Sequence, residues 1–161
     1  DEYHLSAEQQ DHIPLAAALH DVGKIAIDEA ILHKPGRLTA EEIEIMKTHS
    51  ARGADMLRKL EGFDQEPLLQ TACEIARWHH ERWDGRGYPD GLKGNEIPIG
   101  AQIVSLADVY DALTSERCYK EAYSGEKAMH MILSGECGAF NSLLLRCLTD
   151  VEGELRAALH P

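Results

Sequence analysis

An all-α domain is the fold class that this 161-residue sequence predicts. Three observations carry that reading. Apolar residues recur at helical spacing in several separate stretches. Helix start signals stand in front of those stretches, two of them capping boxes of the form Ser/Thr-x-x-Gln/Glu. No segment alternates apolar and polar residues as a half-buried strand would. Neither a repeat nor a low-complexity stretch interrupts the pattern. At this length one domain spans residues 1–161, and a hydrophobic fraction of 43% is enough for a sizeable core.

The elements follow in order. Ser6-Ala7-Glu8-Gln9 opens a first helix whose positions Ile13, Ala16, Ala17 and Leu19 or His20 keep helical spacing, and which Gly23 closes. Pro35-Gly36-Arg37-Leu38 reads as a turn. Thr39-Ala40-Glu41-Glu42 is the second capping box, and the helix behind it carries Ile43, Met46 and Lys47 towards His49. Ser50 is placed to cap a further helix through Ala54, Leu57 and Arg58. Pro67 suits the first turn of a helix that runs through Leu69, Ala72, Cys73 and Ala76 to His79-His80. From Asp84 to Pro98 come Gly85, Gly87, Gly91, Gly94 and two prolines, which predict a long structured loop. Gly100 to Thr114 is a strongly apolar helix that carries Asp108 and Asp111. Ser124 caps a helix through Met131 and Leu133, and Asn141 caps an amphipathic last one with Leu144, Leu145 and Leu148 on its apolar side. The count is six or seven helices.

The formal net charge of -12 argues against a duplex nucleic-acid partner. An anionic substrate would need a local positive site, which divalent metals can supply. No apolar run reaches the roughly 18–20 residues of a membrane span, and no signal peptide opens the chain, so the expected compartment is the cytoplasm. Cys73, Cys118, Cys137 and Cys147 lie far apart without a CxxC pair, which predicts reduced thiols rather than disulfides or a thiolate zinc site.

The chemistry concentrates in His79-His80-Glu81-Arg82-Trp83-Asp84-Gly85-Arg86-Gly87-Tyr88-Pro89. Imidazole is the commonest transition-metal ligand, and a pair of them is rarely wanted on a plain surface. His20-Asp21 lies upstream, His49 between, and Asp108 after. Alone, His20-Asp21 would be a satisfied core pair and His49 a surface histidine at a helix end. Together the six make a set of four His and two Asp, each near an expected helix end. Lys24, three residues beyond Asp21, can bring a mobile point charge to a phosphate oxygen. Asp108 sits in an apolar helix, where a buried carboxylate needs a metal or a cation to offset its desolvation. Asp111, one turn on, would orient a ligand or bond a backbone group. His4, His12, His33, His130 and His160 read as surface or packing residues. The mixed set suits Fe, Mn, Zn or Ni rather than Ca or Mg. Asp21 could bridge two ions, and water held between them would be acidified to hydroxide at neutral pH.

His20-Asp21-Val22-Gly23-Lys24, His49, His79-His80 and Asp108 resemble the HD phosphohydrolase superfamily, and the run ending Gly87-Tyr88-Pro89 resembles its HD-GYP subfamily. Lys34-Pro35-Gly36-Arg37-Leu38-Thr39, Gly91-Leu92-Lys93-Gly94 and Ala107 to Thr114 also look like that subfamily, over about residues 13–145. The resemblance implies an HD-domain helical bundle and a phosphodiesterase that hydrolyses cyclic di-GMP, or a related cyclic dinucleotide, to pGpG or GMP. It implies two or three divalent ions, Fe or Mn before Zn or Ni, held by His20, Asp21, His49, His79, His80 and Asp108. Asp21 and Lys24 would serve catalysis. Lys24, Tyr88, Arg117 and Lys120 would bind substrate. A binding or interaction module without turnover is the second reading. A regulatory sensor or receiver domain is expected in the parent protein, and Leu143 and Leu155, read as exposed on the last helix, leave a homodimer open. Two departures from the family pattern stand out. Its further metal-binding His or Glu belongs to a helix expected before the first one here, and Cys118 stands where the family commonly has Pro.

Overall fold

The computed structural model describes residues 4–63, 65–116 and 122–159. Among them are seven α-helices: α1 (Ala7–Ala17), α2 (Glu29–Leu32), α3 (Ala40–Arg58), α4 (Pro67–Trp78), α5 (Ile99–Thr114), α6 (Gly125–Leu133) and α7 (Ser142–Leu159). Short 3-10 turns cover Val22–Ala26 and Gly94–Glu96. The only pairing of strand type among the described residues is an isolated bridge between Asp84 and Lys93.

Local chemistry sets most boundaries as expected. Ser6 and Thr39 both form complete capping boxes, with Gln9 and Glu42 as reciprocal partners. Pro67 occupies the first turn of α4. The Ser124 hydroxyl accepts from the Lys127 amide, and Asn141 Oδ1 accepts from the Leu143 amide.

Three segments differ from the sequence expectation. The first helix stops at Ala17, short of Gly23. Pro14 removes one amide donor from it, and the His20 ring takes the Ala17 carbonyl through Nδ1 at 2.7 Å. The chain then turns and tightens into Val22–Ala26. A short helix, α2, follows, with Asp28 capping the Ala30 amide. Finally, α3 runs unbroken through His49 and Ser50. Ser50 is fully buried, and its hydroxyl donates back to the Lys47 carbonyl at 3.1 Å instead of starting a new helix.

Two apolar clusters hold the helices together. Ile13 and Ala16 of α1, Leu57 of α3, Ala72, Cys73, Ile75 and Ala76 of α4 and Val104 of α5 form the first. The second joins Leu106, Tyr110 and Leu113 of α5 to α6 and α7, including Ile132 and Leu148. Helix α5 therefore contributes to both. Leu155 packs against the second cluster, and Leu143 is half-buried, so neither is the exposed apolar position expected of it. Cys73, Cys137 and Cys147 are free thiols, whereas Cys118 lies outside the described residues. No described helix is long and apolar enough to cross a membrane.

Candidate metal centre

Four elements deliver the site. Asp21 leaves the end of the α1 region, His49 projects from the middle of α3, His79 caps α4 with His80 next to it, and Asp108 lies on α5. Two close backbone approaches make this convergence possible. Gly23 packs against α3 so tightly that a Cβ would overlap the His49 carbonyl and the Gly53 amide. Gly87 likewise lies on the backbone of Glu81 and Arg82, which folds the loop back over the histidine pair.

Asp21, His49, His79 and His80 each offer one ligand atom, and these atoms all lie within 4.8 Å of one another. Asp21 Oδ1 is 3.3 Å from His49 Nε2 and 3.9 Å from His79 Nε2. Its other oxygen, Oδ2, is 3.3 Å from His20 Nε2 and 2.5 Å from Lys24 Nζ. His20 Nε2 is also 3.9 Å from Asp108 Oδ1. The two Asp21 oxygens therefore serve two sides of one cluster. His79 and His80, though adjacent in sequence, converge, with ring centroids 4.0 Å apart. The Tyr88 ring stacks on His80 with centroids 4.8 Å apart. Arg117 and Lys120 lie outside the described residues.

The tautomers follow from the backbone. Nδ1 of His49 faces the Met46 carbonyl at 2.7 Å, and Nδ1 of His79 faces those of Ile75 and Ala76 at 3.0 and 3.1 Å. Only an N–H satisfies a carbonyl, so each Nε2 carries a lone pair. Those two Nε2 atoms are 3.5 Å apart, and both face Asp21 Oδ1. Lone pairs facing each other and a carboxylate fit a cation between them. The residues present thus suit a divalent metal, by donor type and by tautomer.

Electrostatics point the same way. Burial pushes the His79 imidazole down to about 4, and it pushes His49 and His80 below the ordinary range too. All three are neutral, ligand-competent imidazoles near pH 7. Burial works against Asp21, yet hydrogen bonds from His20 and Lys24 hold its carboxyl well below the usual carboxylate range. The hydrogen bond with Asp21 raises His20 against its own burial. Burial, with the charges of Asp21, Asp108 and Glu44, keeps the Tyr88 hydroxyl protonated.

Two readings change. The Asp108 side chain is 33% exposed and borders a cavity of about 250 Å³, so it is not deeply buried. Asp111, read as orienting a ligand or bonding a backbone group, accepts the Ser115 side-chain hydroxyl at 3.1 Å at the end of α5. Residues without an assigned role also emerge. Buried Glu81 accepts the Asp90 and Gly91 amides on Oε1 at 2.7 and 2.9 Å, while its Oε2 has no partner among the described residues. Asp90 is clasped by Arg77 and Trp78. Arg82 donates to the Cys137 carbonyl, anchoring the start of the loop to the segment before α7. Lys47 lines the cavity near Tyr88. The partners of these side chains are mostly nine or more residues away in sequence, which hid their roles.

A family model described as an HD domain matches residues 1–137, most of the chain and all four elements of the cluster. The chain belongs to the HD-domain family. Among relatives of this HD domain is a 3'3'-cGAMP-specific phosphodiesterase 2 of Vibrio cholerae, 41% identical over 92% of this chain and 28% of that protein. A cyclic di-GMP phosphodiesterase of Thermotoga maritima is 49% identical over 89% of this chain and 38% of its own length. The cyclic di-GMP phosphodiesterase response regulator RpfG of Xanthomonas campestris is 49% identical over 78% of this chain and 32% of that protein. The chain thus spans roughly a third of the length of such relatives. Both the all-α architecture and the family agree with the expectation from the sequence.

Proposed function

We propose that this HD domain is the catalytic part of a cyclic dinucleotide phosphodiesterase that hydrolyses cyclic di-GMP to pGpG or onward to GMP. The observation that carries the reading is Asp21, whose Oδ1 faces His49 and His79 while its Oδ2 faces His20 and Lys24. A carboxylate shared in this way suits two ions. His20, Asp21, His49, His79, His80 and Asp108 would hold them, Fe or Mn first, Zn or Ni as alternatives. Divalent ions supply positive charge for the phosphate oxygens and lower the pKa of water.

The chain's own residues account for the rest. The reaction adds water across one phosphodiester: a P–O bond to the water oxygen forms, the P–O3' bond breaks, and the proton ends on the 3' oxygen. The Lys24 ammonium beside Asp21 stabilises charge that builds on the phosphate. Tyr88, kept protonated, offers a hydroxyl donor to the substrate. Arg117 and Lys120 grip the phosphates. The substrate class comes from the relatives' names, which specify cyclic di-GMP in two cases and 3'3'-cGAMP in one. A receiver or sensor domain of the same protein would regulate the site, as the response-regulator name of one relative suggests. The cytoplasm is the compartment of this reading.

Incubation of the chain with Mn(II) or Fe(II) and cyclic di-GMP, with metal analysis, is the test. The expected result is at least two ions per chain and conversion to pGpG or GMP. His79→Ala and Asp21→Ala should each lower turnover by on the order of 10²–10³ or more. Wild-type turnover by both variants would place the chemistry elsewhere.

A further inference from the structure

The metal cluster does not explain which base the site selects, although relatives of comparable identity carry the names of different cyclic dinucleotides. Beside the cluster, Lys47 lines the cavity of about 250 Å³ that His79, His80, Tyr88 and Asp108 also line. Its Nζ lies 5.6 Å from the centre of the Tyr88 ring. One turn earlier on α3, Glu44 Oε1 accepts from that Nζ at 2.6 Å. The two side chains are 38% and 70% exposed. An exposed ion pair of this kind contributes little to stability, so it opens at little cost.

We propose that Lys47 and Glu44 read the edge of a guanine base of the cyclic dinucleotide, with Tyr88 as the aromatic wall beside them. The proposal rests on the phosphodiesterase reading. Guanine presents O6 as an acceptor, the atom that lysine most often contacts when it reads this base. On the same edge, N1–H and the N2 amino group donate, and an ionised carboxylate only accepts. Adenine has an amino donor at the position of O6 and a lone pair on N1. The ammonium would then meet a donor and the carboxylate a lone pair. The second phosphate is a poorer occupant, because Glu44 would repel it. An aromatic ring next to the pair suits a flat base, which gains from stacking.

The test measures KM and kcat of the manganese-loaded protein for cyclic di-GMP, and the inhibition constant of cyclic di-AMP against it. The variants are Lys47→Met, Glu44→Gln and Lys47→Arg. Lys47→Met and Glu44→Gln should each raise KM for cyclic di-GMP about tenfold, with kcat within about twofold of wild type. Lys47→Arg keeps a donor and should recover most of the loss. The cyclic di-AMP constant should move by less than about twofold. Equal losses for both ligands, no loss for either, or a fall confined to kcat would each overturn the guanine reading. A metal-loaded wild type that hydrolyses no cyclic dinucleotide sinks the phosphodiesterase reading instead. Calorimetric dissociation constants for the same ligands and variants then decide the guanine reading by the same ratios.

Discussion

Asp90 shows how much one carboxylate can do here. It receives Arg77 through two hydrogen bonds of 2.7 and 2.8 Å and the Trp78 indole at 2.7 Å, tying the loop to the helix that ends in the histidine pair. The Arg77 guanidinium, with Trp78, holds the Asp90 carboxyl below the usual carboxylate range. A depressed folded value means that the clasp stabilises fully above the unfolded value of about 3.9 and is lost as pH falls through the folded one. Solvent screens this partly exposed pair, so the effect is local. In a Trp83→Phe background, Trp78 emission should shift below about pH 4 while helicity persists, and Asp90→Asn should bring that shift to neutral pH. Emission indifferent to both changes would refute the clasp. The metal-ligand candidates were legible as residue types at telling spacings. Glu81, Asp90 and Lys47 were not, because each acts on atoms that only the fold brings near.

Among elements, α3 carries the most consequence. Its capping box was readable from Thr39 and Glu42, and its helical spacing as two separate helices, one carrying Ile43 and Met46 and one carrying Ala54 and Leu57. Its continuity through Ser50 was not, since a serine reads as a cap until burial shows its hydroxyl bonded within the helix. That continuity matters. It puts His49 in the middle of a rigid element, and the 3-10 turn bearing Lys24 lies against it through Gly23 and Gly53. Gly23→Ala should destabilise the protein by about 1–3 kcal/mol, because two backbones rather than a flexible side chain would have to move. Urea unfolding measures this, and an unchanged midpoint would contradict the packing. The short α2 escaped the sequence reading, as a four-residue helix offers too few turns for periodicity to register.

For the whole molecule, two apolar clusters share α5, and the candidate centre lies where α3, α4, α5 and the turn after α1 converge. Elements that meet at one ion are stabilised when it binds. At a free Mn(II) concentration a hundred times Kd the gain is about 2.7 kcal/mol, which for this chain length corresponds to roughly 5–10 °C in Tm. Chelation should remove that increment, and His79→Ala should never show it. A Tm insensitive to metal in the wild type would argue against the centre. The sequence by itself determined the all-α class, most helix starts and the identity of the donors, because capping chemistry, apolar period and ligand type are local properties. Only the tertiary structure decided that His49 and His79 turn their Nε2 atoms on one Asp21 oxygen while His20 and Lys24 take the other. Which lone pair faces which oxygen depends on backbone carbonyls and glycine contacts between elements, and sequence spacing does not encode those.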